Sequence, residues 1–228
     1  MLRDDPGPAH LLGRFELVIF DCDGVLVDSE RLTVGIEAQV LTSLGWPMDA
    51  DEVVRRWMGR TSAAQLAEVA ERLGRAAAEE YDRRSTAAVR AAFARDLRAV
   101  EGVVEVLDAL AGLGIPTCVA SSGTPARMQH TLGLTGLLDH FEGRIFSAVE
   151  VAEGKPAPDL FLHAAARMGA APARCAVVED SVPGVRGGVS AGMTVFGYAG
   201  GLTGEAELVA AGAEPFRHMR DLLGVSGG

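Results

Sequence analysis

Leu17-Val18-Ile19-Phe20 is an unbroken apolar run that stops abruptly at Asp21-Cys22-Asp23-Gly24. Apolar residues without alternation describe a strand covered on both faces, the environment of a parallel sheet packed between helices. Further short runs follow the same plan: Thr117–Ala120, leading into Ser121-Ser122; Ile145–Ser147; Cys175–Val178, ending at Glu179-Asp180; and Met193–Phe196. Between them lie stretches with helical spacing, Gly102–Leu113, Pro125–Leu132, Pro158–Met168 and Ser181–Ala191, each opened by proline or followed by glycine. Strand–helix units of this length demand right-handed crossovers, so the expected fold is α/β, a doubly wound parallel-sheet (Rossmann-like) core.

The segment after the first strand breaks that rhythm. Apolar residues recur at helical spacing through Ile36, Val40 and Leu41, then Val53 and Trp57, then Leu66, Val69 and Leu73, then Val89 and Phe93. Breaks fall at Gly45-Trp46-Pro47, Gly59-Arg60-Thr61-Ser62 and Gly74, and no strand-like run intervenes. This predicts a small all-helical cap domain over residues 32–96, inserted in a catalytic core made of 14–31 and 97–228. Residues 1–13, which include Asp4-Asp5-Pro6-Gly7-Pro8, read as a loose tail.

A net charge of −10 argues against nucleic acid or an anionic membrane as partner. The N-terminus shows no basic-then-apolar signal pattern, and no apolar run is long enough to span a bilayer. Cys22, Cys118 and Cys175 are widely spaced within apolar stretches and read as buried free thiols of a reducing compartment. A cytoplasmic protein is expected, with a monomer as the default state.

The chemistry concentrates where the strands end, because open α/β sheets hold ligands at the carboxyl ends of their strands. Asp21 and Asp23 would each raise the other's pKa unless a cation intervened, and oxygen-only ligands suit Mg²⁺. Glu179-Asp180 supplies a second acidic pair, so the candidate metal site is Asp21, Asp23, Glu179 and Asp180. Asp180-Ser181 could instead cap the next helix. Gly24 permits a tight turn and close approach of a bound group. Ser121-Ser122 precedes a helix, and its hydroxyls could hold an anion or cap that helix; both readings are open. Lys155 is the only lysine among 21 Lys and Arg residues, and a compact point charge can sit between two anions where a planar guanidinium cannot.

Four stretches in order carry a resemblance: Asp21-x-Asp23-Gly24-Val25-Leu26-Val27-Asp28-Ser29-Glu30, Ser121-Ser122, Gly154-Lys155-Pro156-x-Pro158-Asp159 and Glu179-Asp180-Ser181-x-x-Gly184. Together they resemble the haloacid dehalogenase superfamily, specifically its phosphatase and β-phosphoglucomutase-like branch with a helical cap inserted after the first motif. The resemblance implies a Mg²⁺-dependent phosphatase acting on a small phosphorylated metabolite, a sugar phosphate or phosphorylated sugar acid, through an aspartyl-phosphate. It implies Asp21 as nucleophile, Asp23 as general acid and base, and Lys155 as neutralising cation. Ser121 would bind the phosphoryl group. Asp180, the Asp21 carboxylate and the Asp23 main-chain carbonyl would hold the metal, with Glu179 contributing directly or through water. Dehalogenases of the superfamily lack the second aspartate, so Asp23 argues against that chemistry. The alternative is a hexose phosphate mutase, but its cap histidine is replaced here by Thr33, and Ser62 stands where the mutase pattern has arginine. Arg60 in the same loop could bind a second anionic group of the substrate or be a solvated surface residue.

Overall fold

The computed structural model describes residues 14–57 and 60–224. The expectation for residues 1–13 lies outside the described residues. Among the described residues β1 (Leu17–Phe20), β2 (Thr117–Ser121), β3 (Ile145–Ser147), β4 (Cys175–Glu179), β5 (Thr194–Tyr198) and β6 (Glu214–Phe216) form one sheet. Its order is β3-β2-β1-β4-β5-β6, and every neighbouring pair is parallel. The expected α/β class is therefore observed.

Alternation along the strands divides the buried side chains between two faces. Val18, Phe20, Val119, Ala176 and Val178 cluster with α5 (Val103–Gly112) and α6 (Pro125–Leu134), through Val106, Leu110, Met128 and Leu132. Leu17, Ile19, Cys118, Ala120 and Val177 cluster with α7 (Asp159–Met168), α8 (Val182–Ser190) and α9 (Glu205–Ala211), through Leu160, Phe161, Val185 and Leu208. All three cysteines are free and buried, and burial pushes the Cys22 and Cys118 thiols up, which leaves them protonated near neutral pH.

Four helices fill the segment after the first strand: α1 (Glu30–Ser43), α2 (Ala50–Trp57), α3 (Ser62–Leu73) and α4 (Arg75–Asp96). They share a separate apolar cluster of Leu41, Trp46, Val53, Trp57, Val69 and Tyr81, in which Trp46 and Trp57 pack edge to face with centroids 6.0 Å apart. The far half of α4 departs from that cluster, since Val89 and Phe93 pack with the sheet-face residues instead. This helix ties the two clusters together.

Two elements were not expected from the sequence. β6 has three residues with Pro215 in the middle and two exposed positions, which only a sheet edge tolerates. α9 spans seven residues with one buried side chain, Leu208, too short to display a period. Neither touches the chemistry directly. What places the site is the switch point: the chain leaves β1 for β2 and β3, then returns to β4 on the other side of β1, opening a crevice beyond their carboxyl ends.

Candidate active site

Asp21 follows β1 directly, Glu179 ends β4, and Lys155 lies in the loop between β3 and α7, yet the three side chains meet. The Lys155 ammonium donates to Asp21 Oδ1 at 2.6 Å, to Glu179 Oε1 at 2.5 Å and to the Ala120 carbonyl at 3.1 Å, using all three of its protons. Its side chain is only 2% exposed. Burial alone would pull the amine down, but Asp21 and Glu179 reverse that and hold it above its usual value, so it stays a cation. Burial pushes the Asp21 carboxyl up to about 7, and the charges of Glu179 and Asp23 add to this against the pull of Lys155.

The second oxygen of Glu179 accepts from the main-chain N–H groups of Asp180 and Ser181, at 3.1 and 3.0 Å, and from the Ser181 hydroxyl at 2.9 Å. Glu179 is thus completely satisfied while fully buried, and it shapes the turn into α8. Ser181 caps that helix by accepting from Gly184 N at 3.1 Å. A Cβ at Gly184 would overlap the Glu179 carboxylate, which explains the glycine. Capping therefore falls to Ser181, and Asp180 does something else.

Asp180 is 1% exposed, and its Oδ2 has no hydrogen-bond partner. The same is true of Glu30 Oε2 at the start of α1. Both atoms face Gly24, whose φ of +81° suits glycine and where a Cβ would overlap Asp180 Oδ2. Burial, with help from neighbouring carboxylates, pushes Glu30 up to about 8 and raises Asp180 as well. Ligand oxygens of Asp21, Glu179 and Asp180 lie within 4.8 Å of one another. Orphaned buried oxygens, an all-oxygen donor set and a cradle kept open by a glycine together fit a hard divalent cation such as Mg²⁺. Nitrogen and sulfur ligands are absent from this group among the described residues, and none of His130, His140, His163 and His218 belongs to it.

The Asp23 side chain turns away from that group. Its Oδ1 accepts from the Ser29 hydroxyl and from Arg127 Nη2 at 3.1 Å. Burial pushes this carboxyl up, but Arg127 and Ser29 outweigh burial and hold it below the usual range. Ser29 thus serves Asp23 rather than capping α1, where its side chain makes no capping bond. Neither partner was expected from the sequence. Ser29 stood within the first of the four ordered stretches with no role of its own, and Arg127 sits in the first turn of α6 with no motif around it.

Ser121 is buried at the end of β2, with Oγ accepting from Gly123 N at 3.2 Å, and Ser122 is half-buried beside it. Helix α6 is capped by Thr124 through Arg127 N at 3.3 Å, so the serine pair is not its cap. Arg60 lines the same cavity, but its guanidinium pairs with Glu68 at 2.8 Å, where Trp57 Nε1 and Arg56 also converge. Helix α3 is capped by Thr61, not Ser62. The cavity measures about 520 Å³, and Asp21, Asp23, Ser121 and Lys155 share it with Thr33 of α1 and Trp57 of α2.

A buried carboxylate is therefore held beside a fixed ammonium, an acidic cradle and a second carboxylate held by Ser29 and Arg127. That combination suits transfer of a phosphoryl group. A profile of haloacid dehalogenase-like hydrolases matches residues 15–192. The chain is 35% identical to 6-phosphogluconate phosphatase of Escherichia coli over 193 residues, covering 81% of this chain and 83% of that one. It is 30% identical to a phosphorylated carbohydrates phosphatase of Thermotoga maritima over 212 residues, 92% of this chain and 97% of the relative. Among solved structures, a haloacid dehalogenase family hydrolase of Deinococcus radiodurans with bound phosphate and sodium superposes with a TM-score of 0.75 at 31% identity, covering 92% and 94% of the two chains. The chain belongs to the haloacid dehalogenase-like hydrolases and is a phosphoric monoester hydrolase of their phosphatase branch.

Proposed function

We propose that the protein is a Mg²⁺-dependent phosphatase that hydrolyses a sugar phosphate or phosphorylated sugar acid through an aspartyl-phosphate on Asp21. The single observation that carries the reading is the placement of the Lys155 ammonium between Asp21 and Glu179 beside the unpartnered Asp180 Oδ2. An Asp21 oxygen attacks phosphorus as the ester oxygen leaves with a proton from Asp23. Water, deprotonated by Asp23, then attacks the same phosphorus, and the Asp21 carboxylate and inorganic phosphate are regenerated. For both steps the Asp23 carboxyl must exchange its Arg127 partner for the reacting oxygen. Lys155 neutralises Asp21 and the phosphoryl oxygens, and Ser121 with Ser122 binds the phosphoryl group at the end of β2. Gly24 keeps the cradle open. Asp21, Asp180 and the Asp23 main-chain carbonyl, with Glu179 directly or through water, would hold Mg²⁺, which would supply further positive charge against the developing charge on the phosphoryl oxygens.

Residues 32–96 form the cap in this reading, and core and cap enclose the leaving group so that bulk water is excluded. The choice of sugar phosphates rests on the activities named for the two relatives and on the size of the cavity. A cytoplasmic location fits the three buried free thiols, and light scattering on the purified protein tests the default expectation of a monomer. Chelation with EDTA is expected to abolish phosphate release from sugar and sugar-acid phosphates, and added Mg²⁺ to restore it. Full activity in EDTA would remove the metal from the reading.

Thr33 lines the cavity on α1, with its hydroxyl turned to the Ser29 carbonyl at 2.9 Å. With no imidazole at that position, water is the favoured phosphoryl acceptor. Thr33→His is expected to slow breakdown of the phosphoenzyme in single-turnover experiments. An unchanged rate would show that this position does not choose between water and a sugar as acceptor.

A further inference from the structure

The acids of the metal cradle are not fixed equally. Asp21 is held by the Lys155 ammonium at 2.6 Å. Glu179 is held by the same ammonium, by the Ser181 hydroxyl and by two main-chain N–H groups. Asp180 is buried as deeply, but no N–H among the described residues reaches its Oδ2. What this carboxyl meets is the carboxyl of Glu30, the first residue of α1, whose Oε2 likewise finds no other donor. Both oxygens crowd one point, since a Cβ on Gly24 would lie 2.1 Å from Asp180 Oδ2 and 2.9 Å from Glu30 Oε2.

Two facing carboxylates repel, whereas a single proton shared between them turns the contact into a hydrogen bond. The neighbouring Arg31 does not compensate Glu30, because it pairs with Asp28 at 3.6 Å and donates to the Gly200 carbonyl at 3.1 Å. Nor is Glu30 part of an apolar core. It is half-buried and lines the substrate cavity, and among the described residues it alone also lines a second cavity of about 320 Å³, shared with Gly24, Arg31, Tyr198 and Gly201. Its polar end therefore has one evident task, the contact with Asp180. Carboxylates that ligate metals are themselves hydrogen-bonded by an outer layer of groups, which fixes where their oxygens point, and losing such a group costs about 10- to 100-fold in affinity.

Resting on the metal-dependent reading above, we propose that Glu30 is a positioning residue of the metal site, which holds Asp180 by its Oδ2 so that the carboxyl is presented to the cation shared with Asp21 and Glu179. The ligands themselves stay in place without Glu30, but one of the three loses its fixed direction.

The test titrates Mn²⁺, an oxygen-seeking stand-in for Mg²⁺, into metal-stripped protein and follows the free ion by electron paramagnetic resonance, so that binding is read and not turnover. Glu30→Ala is expected to raise the dissociation constant about tenfold. Glu30→Gln, whose side-chain N–H can donate to Asp180 Oδ2, is expected to bind Mn²⁺ close to the wild type. Both variants lose the same negative charge, so rescue by glutamine separates positioning from charge. An unchanged constant in Glu30→Ala overturns the proposal. Equal weakening in both variants overturns it too, because Glu30 would then act only as a negative charge near the ion. Should Glu30→Ala fail to fold, Glu30→Met, which keeps the length and cannot donate, takes its place in the same comparison. Failure of the metal reading itself looks different, since the wild type would then take up no Mn²⁺.

Discussion

Asp21→Asn is expected to lower phosphate release on the order of 10⁴-fold or more while the fold survives. The amide has the size of the carboxylate but cannot accept a phosphoryl group at neutral pH. The mutant still offers Lys155 two of its three acceptors, Glu179 and the Ala120 carbonyl. Burial already disfavours charge on Asp21, pushing it up to about 7, so a neutral replacement costs the metal-free protein little. Phosphate release and thermal melting measured on the same preparation separate the two effects. Residual turnover above about 1% in a well-folded mutant would take the nucleophile away from Asp21, because removal of a nucleophile leaves only what positioning and electrostatics provide. Loss of activity accompanied by loss of the melting transition would instead make Asp21 a structural residue.

That experiment probes a constellation much of which is legible in the amino-acid sequence. The β1, β3 and β4 runs are short, apolar and bounded by charged or turn-forming residues, so buried parallel strands follow from pattern alone. Asp21, Lys155 and Glu179 stand out because charged residues at strand ends, and one lysine among arginines, are unusual chemistry for their surroundings. Elements without such contrast are harder to see. β6 contains a proline and two exposed residues, and nothing local distinguishes it from a loop. Its strand character exists only because β5 lies beside it.

The site shows the same division. Local grammar places Ser29 and Glu30 at the start of a helix, where α1 does begin, and leaves Ser121-Ser122 open between capping the next helix and holding an anion. In the folded chain Ser29 bonds Asp23, Glu30 faces Asp180, and Thr124 takes over the capping. Arg127 meets Asp23 across 104 positions. A side chain whose role depends on a distant partner carries no spacing signature. Asp21, Lys155, Glu179 and Asp180 reside in short motifs, whereas Arg127 reaches Asp23 only through tertiary packing.

Lys155→Met is the second large effect, and it differs from Asp21→Asn in striking stability as well as rate. The methionine fills similar space but leaves Glu179, wholly buried, with one oxygen deprived of its only side-chain cation. Breaking one member of a buried pair costs about 3–5 kcal/mol when the other charge stays behind. Thr117–Ser121 and Cys175–Glu179 both border that gap, so the loss falls on the centre of the sheet. The mutant is expected to melt well below the wild type and to release phosphate at no more than about one hundredth of its rate, since removing a single charge stabiliser in such sites costs two to three orders of magnitude. Adding Glu179→Gln to Lys155→Met removes the stranded charge, and the double mutant should recover much of the melting temperature without recovering turnover. Recovery of both would mean that Lys155 only supports the sheet. Recovery of neither would mean that the pair contributes through something other than mutual charge compensation, and the electrostatic account of this corner would have to be abandoned.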